Sequence, residues 1–295
     1  AVGHRVVHGA EKFSGSVLIT EAVIEALKEN IPLAPLHNPP NITGIEAMMQ
    51  ALPGVPNVGV FDTAFHATMP PESYLYAVPY EWYEKHHVRR YGFHGTSHRF
   101  VSERAVDILG IAKDKFNCIT CHMGNGSSFT AIKAGKSYDT SMGMTPLEGI
   151  VMGTRSGDID AGIPKFLADN NNMSFADIDN ALNKKSGLLG LSGISSDMRD
   201  IESAAKEGHE RAKLAVDVLR HRALKYIGAY AIELGRVDAI IFTGGIGENG
   251  IDFRASVVER LTALGIRLDA AANNARGKEV VISTADSPIK VMVVP

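Results

Sequence analysis

The chain has 295 residues, of which 45% are hydrophobic and 21% charged, with a mean hydropathy of −0.01 and a formal net charge of −3. That length exceeds one small core and predicts two domains of ordinary globular composition. The charge balance, with a pI near 6.4, excludes a general nucleic-acid or anionic-membrane surface; no apolar run reaches transmembrane length, and no secretory signal is expected.

Strand and helix patterns alternate, which predicts an α/β fold. The first strand is expected at residues 5–8, in an apolar patch that the chain enters without an initiating Met. Because the sequence also stops in an apparent core strand at 289–294, N-terminal and extreme C-terminal segments of a larger protein are expected to be missing. Helical periodicity marks 21–29 and 44–51, with a proline-rich loop at 32–40 between them. A strand at 57–61 runs into Asp62, and a second proline-rich stretch at 70–79 follows. The expected boundary lies there, giving a first α/β domain at 1–67 and a second at 68–295.

Residues 89–98 read Arg-Arg-Tyr-Gly-Phe-His-Gly-Thr-Ser-His, just where a helix at 97–109 should begin. A helix start presents unpaired N–H groups and the positive end of its dipole, so cations gathered there imply an anion, a phosphate or a carboxylate. The plainer alternative makes Arg89 and Arg90 a solvated pair and lets His94 and His98 merely share a helical face. Zinc lacks a third ligand at metal spacing.

A buried strand is expected at 117–122, followed by another at 127–133. Cys118 and Cys121 form a C-x-x-C on the first of them. Residues three apart on a strand face opposite ways and no second pair completes a zinc site, so they read as core thiols in a reducing cytoplasm. Between the strands lies His122-Met123-Gly124-Asn125-Gly126-Ser127-Ser128. It reads either as a tight turn or as a hairpin whose free N–H groups wrap phosphate oxygens. Gly135-Lys136-Ser137 matches only the tail of a P-loop, because Thr130 stands at its first glycine position. A Gly/Ser-rich loop at 153–158 carries Arg155, which either meets an anion or pairs with Asp158 or Asp160.

Helices are expected at 175–183, 197–207, 209–234 and 251–264, and strands at 239–243, 280–283 and 289–294. Gly245-Ile246-Gly247-Glu248-Asn249-Gly250 is a G-x-G-x-x-G after a strand, with Asp269 where a ribose-binding acid would stand, which suggests a nicotinamide or flavin site. The extra Gly244 and the polar Glu248-Asn249 pair argue against it.

Taken together, these motifs resemble the acetate kinase family, with propionate and butyrate kinases as near relatives. The likeness rests on 61–66, 90–98, 118–128, 144–149, 153–160 and 243–249, and it runs from Gly3 to the last strand. Ala10 and Ala161 depart from the family's usual glycine and proline. The resemblance implies the duplicated two-domain α/β fold of the acetate and sugar kinase, heat-shock chaperone and actin superfamily, with an interdomain nucleotide cleft. It also implies an acetate and Mg²⁺ side in the first domain, nucleotide binding and homodimerisation in the second, and a cytoplasmic enzyme converting ATP and acetate to ADP and acetyl phosphate.

By the same resemblance, Arg5 and Arg155 would hold the acetate carboxylate and the transferring phosphoryl group. His94 would donate to the equatorial oxygens, and Asp62 would anchor Mg²⁺. Val7, Leu36, Phe93 and Pro146 would wall the methyl group. His37, His122, Gly124, Asn125 and Gly126 would meet phosphate oxygens. Asp197, Arg199 and Gly247 would bind the nucleotide or its phosphates, and Gly244, Gly245, Ile246, Glu248 and Asn249 would border adenine and ribose. Acetate is already ionised at neutral pH, with a carboxyl pKa near ~4, so it needs no general base. A sugar kinase would need one, together with a polar pocket. Propionate kinase is the near alternative, and an actin-like or chaperone-like ATPase the remote one.

Overall fold

The computed structural model describes residues 1–35 and 37–295. In chain order its elements are β1 (Val2–Val6), β2 (Val17–Leu18), α1 (Glu21–Glu29), α2 (Asn38–Ala51), β3 (Asn57–Phe61), α3 (Pro71–Tyr74), α4 (Tyr80–His86) and α5 (Gly95–Leu109). There follow β4 (Cys118–Met123), β5 (Ser127–Lys133), β6 (Lys136–Thr140), α6 (Gly162–Asn171), α7 (Phe175–Lys184), α8 (Gly187–Ser192), α9 (Met198–Lys206) and α10 (Glu210–Leu234). The remaining elements are β7 (Ala239–Thr243), α11 (Gly244–Asn249), α12 (Ile251–Val258), α13 (Ala270–Asn273), β8 (Val280–Val281) and β9 (Lys290–Val293).

Packing divides the chain into residues 1–100 with 136–146, and residues 101–135 with 147–295. Residues 68–100 pack with the first unit, a division that differs from the 67/68 boundary drawn from the prolines. Those prolines begin helices instead of marking a linker: Pro71 opens α3 and Pro79 is the N-cap of α4. Proline suits a first turn because its missing N–H has no helical partner there.

In the first unit, β3 pairs parallel with β1 and antiparallel with β2. Val6, Ile19, Leu27, Ile42, Ile45 and Phe61 form the core. β1 lies earlier than the expected 5–8, because the ladder ends where Val6 meets Phe61. Beyond that point the backbone N–H groups of Val7 and His8 turn to the side chains of Asn41 and Asn38. α2 begins six residues before the expected 44, since Pro39 and Pro40 occupy its first turn.

In the second unit, strands run in the order β5-β4-β7-β9-β8, with β4, β7 and β9 mutually parallel. α10 covers this sheet with Ala212, Ala215, Leu219, Ala223, Ile227 and Leu234, a three-to-four-residue stripe that joins Ile119, Phe129, Ile240 and Phe242 in one core. α12 stops at Val258, short of the expected 264, where a 3₁₀ turn at Thr262–Leu264 tightens into Gly265 with φ +73°. Ala134 and Gly135 take φ of 51° and 71°, the backbone of a tight two-residue turn and not of a P-loop. Cys118 and Cys121 are free and fully buried, and burial pushes both thiols up, as suits core thiols. Among the described residues no helix is long and apolar enough to cross a membrane.

Candidate active site

The first unit assembles its polar residues where β1 and β3 end together. The Asp62 N–H donates to the Val6 carbonyl at 3.0 Å, which places the Asp62 side chain beside Arg5. Arg5 grips that carboxylate in fork geometry, Nε to Oδ1 at 2.9 Å and Nη2 to Oδ2 at 2.6 Å. The pairing raises the Arg5 pKa, against the opposing effect of burial. Asp62 is 2% exposed, whereas the Arg5 side chain is 67% exposed and keeps Nη1 outside the pair. An anchored, outward-facing guanidinium of this kind suits an anion.

His94 stands just before α5, and its backbone is left-handed at φ +57°. The next N–H, that of Gly95, donates to the Asp62 carbonyl at 2.9 Å. A Cβ at Gly95 would collide with that same oxygen, so only glycine permits the approach. Asp62 and His94 are thereby fixed to one another through backbone. Below them His66 is fully buried, bonded through Nδ1 to Ser137 and through Nε2 to the Phe93 carbonyl, each at 2.8 Å. Phe93 itself is buried and lies edge-on to His8, with ring centroids 5.6 Å apart. Val7 follows β1, and His37 stands at the residue before α2, next to Asn38, which clamps both backbone groups of His8. Pro146 belongs to the same unit, and Leu36 lies outside the described residues.

The two arginines read as anion ligands or as a solvated pair are neither. Arg89 is buried, lies 3.7 Å over the Tyr74 ring and bonds Glu11 at 2.7 Å. Arg90 donates through Nη1 to the carbonyls of Thr140, Ser141 and Met142 at 3.0–3.1 Å. Both tie the turn to its neighbours, and the site keeps only the histidine end of the segment.

In the second unit, β4 and β7 end level, with His122 beside Thr243. Ligands of parallel α/β sheets bind off such strand ends. Gly244, at φ +75°, passes so close to β4 that an added Cβ would lie 2.7 Å from the Met123 carbonyl oxygen. Beside this crossing lies a cavity of about 660 Å³, lined by Gly124, Asn125, Asp197, Arg199, Gly245, Ile246 and Asn249 of the expected nucleotide residues. Its volume is that of a small-molecule site. Asp197 caps α9 and is held by Arg199, whose Nη2 bonds it at 2.5 Å, and this pairing lowers the Asp197 carboxyl to about 2.

His122, Gly126, Gly244, Gly247 and Glu248 do not line that cavity; Gly247 is buried behind it against Phe242. The loop bearing Arg155 docks on the hairpin through a Gly153 N–H to Asn125 carbonyl bond at 3.0 Å, and burial lowers the Arg155 pKa. Asp158 is occupied by the Gly149 N–H and the Tyr226 hydroxyl, each at 2.8 Å. Asp269, at the ribose-acid spacing, instead caps α13 by accepting from Ala271 and Ala272. The dinucleotide reading therefore loses its acid.

The sequence reading missed Ser196, Met198, Glu202 and Arg276, which also line the cavity. Arg276 comes from the stretch after α13 and donates to the Asn249 carbonyl at 2.9 Å. No local motif marks it. Glu202 was legible only as the next turn of the helix that Asp197 begins.

Comparison with known proteins places these features in context. The sequence profile of the Acetokinase family matches residues 1–295. The acetate kinase of Halothermothrix orenii is 58% identical over 295 residues, spanning 100% of this chain and 74% of that protein. Among solved structures, the acetate kinase of Porphyromonas gingivalis superposes with a TM-score of 0.97 at 55% identity, over 100% of this chain and 74% of its own. A propionate kinase from Francisella tularensis superposes with a TM-score of 0.94 at 48% identity, over 99% of this chain and 75% of its own.

Proposed function

Because the chain belongs to the acetokinase family and acts on acetate with ATP, we propose that it transfers the γ-phosphoryl group to acetate by direct in-line displacement. The observation that carries the mechanism is the fork between Arg5 and Asp62. It commits the buried carboxylate to anchoring, and the acceptor needs no base because acetate is ionised at neutral pH.

The difficulty in such a reaction is bringing two anions together. Arg5, through the donors its pair leaves over, and Arg155 hold the acetate carboxylate and the transferring group. His94 donates to the equatorial oxygens as charge spreads over them. Val7, Phe93 and Pro146 exclude water from the methyl side. His37, His122 and the Gly124–Gly126 hairpin take phosphate oxygens through side-chain and backbone donors. The cavity edged by Asp197, Arg199, Gly245, Ile246 and Asn249 takes ribose and base, while Gly244, Gly247 and Glu248 shape its wall.

Mg²⁺ binds few protein oxygens and keeps phosphate and water ligands. The buried Asp62 carboxylate is a donor of that kind and would hold the ion with the nucleotide phosphates. When bound, the ion neutralises phosphate charge. We further infer a cytoplasmic homodimer joined through the second unit, whose Phe166 and Phe175 expose large apolar side chains.

Stereochemistry at phosphorus tests the displacement. With ATP made chiral at the γ-phosphorus, acetyl phosphate should form with inversion. Net retention would instead require a phosphoenzyme and would remove the direct step.

A further inference from the structure

We propose that Asn41 is a positioning residue that sets acyl-chain selectivity, by holding the backbone at Val7 to the start of α2. The inference rests on the reading of Val7 as a wall for the methyl group.

The β1 ladder ends where Val6 meets Phe61, and the chain bends at Val7. The next two N–H groups are taken up by α2. That of Val7 donates to Asn41 Oδ1 at 3.1 Å, and that of His8 to Asn38 Oδ1 at 3.3 Å. Asn38 also donates through Nδ2 to the His8 carbonyl at 3.2 Å. Asn38, Asn41, Ile42 and Ile45 share one face of the helix, and the two isoleucines are buried in the core of the unit. The clamp thus stands on a fixed support, and the bend at Val7 takes its place from the helix and not from the sheet.

Two further contacts carry the clamp to the rest of the wall. The Asn41 N–H donates to the His37 carbonyl at 3.1 Å, so one residue grips Val7 with its side chain and His37 with its backbone. The His8 ring, whose Nδ1 accepts from the Ala10 N–H at 3.0 Å, lies edge-on to Phe93. Acids that differ by one methylene are separated by how firmly a pocket resists the longer chain, and such discrimination reaches only about 10–200-fold. A wall that yields by a fraction of an ångström admits the extra carbon. Val7 is half-buried. Without Asn41 Oδ1 its N–H can turn to water, and the wall moves with it.

Steady-state kinetics of the full-length protein with acetate and propionate test this. Alanine suits a helix, so Asn41→Ala should fold. Its kcat/KM ratio of acetate to propionate should fall about fivefold, as for the loss of one hydrogen bond, with KM for ATP unchanged. Asn41→Asp keeps the acceptor. Its added charge disfavours both acids alike and cancels in the ratio, which should stay at the wild-type value. The proposal is overturned if Asn41→Ala keeps the wild-type ratio, if it merely lowers kcat for both acids alike, or if the ratio falls as far in Asn41→Asp as in Asn41→Ala. Val7→Ala widens the same wall and should lower the ratio too. An unchanged ratio there would remove the reading of Val7 as a wall, and the proposal with it. No acid-dependent acyl phosphate from the wild type would instead remove the kinase reading itself.

Discussion

His94 holds a left-handed backbone because Gly95 can approach the Asp62 carbonyl where no other residue can. Gly95→Ala should therefore displace His94 and Asp62 together. An error near 1 Å in such a site costs about 10²-fold in rate. We expect a fall of that size in kcat, with KM for ATP nearly unchanged, and wild-type kcat in the alanine variant would contradict the account. Two other histidines govern acid stability. His8 and His66 are buried, and burial pushes each pKa from 6.5 down to about 4. Between those values the unfolded chain binds more protons than the folded one. Stability is thus full above pH 6.5 and declines as pH falls toward 4, by up to about 1.4 kcal/mol per pH unit for each histidine. Urea midpoints at about pH 7, 6 and 5 should drop in that order, and a pH-independent midpoint would show that the histidines are not held neutral.

At the scale of elements, α11 shows what a motif leaves unsaid. The glycine run was visible in the sequence, and the chain indeed turns sharply there, but as a short helix whose carbonyls need partners. Arg254, fully buried on α12, donates to the carbonyls of Gly247, Asn273 and Ala275 and to the Asn273 side chain at 2.8–2.9 Å. Its burial among neutral acceptors lowers its pKa. Arg254→Met keeps much of the volume and removes every donor. It should cost about 3 kcal/mol in urea unfolding and raise KM for ATP severalfold. Unchanged stability and KM would mean that the helix holds its place unaided. No sequence pattern could single out Arg254, because Asn273 and Ala275 reach it from 19 and 21 residues further along the chain. The strands at 57–61, 127–133 and 239–243 were legible to the residue, since turn-forming neighbours such as Pro56, Gly126 and Gly244 mark where they begin or end. Ends set by tertiary contacts, such as those of β1, α2 and α12, were not.

For the whole molecule, the motifs revealed more than the periodicities did. Asp62, His94 and the Asn125 hairpin were each visible as a polar residue at a strand or helix end. Their chemistry became readable from several such ends occurring in one order along the chain. What stayed hidden was structural employment: Arg89 and Arg90 look catalytic in sequence but hold carbonyls, an aromatic ring and Glu11. The central claim is that this chain phosphorylates a carboxylate. The most direct measurement is acyl hydroxamate formed with Mg-ATP and hydroxylamine in the presence of acetate, of propionate or of no acid. The account predicts hydroxamate that requires the acid and forms faster with acetate. ATP hydrolysis without acid-dependent hydroxamate, from folded full-length protein, would contradict it and favour an ATPase of the same fold.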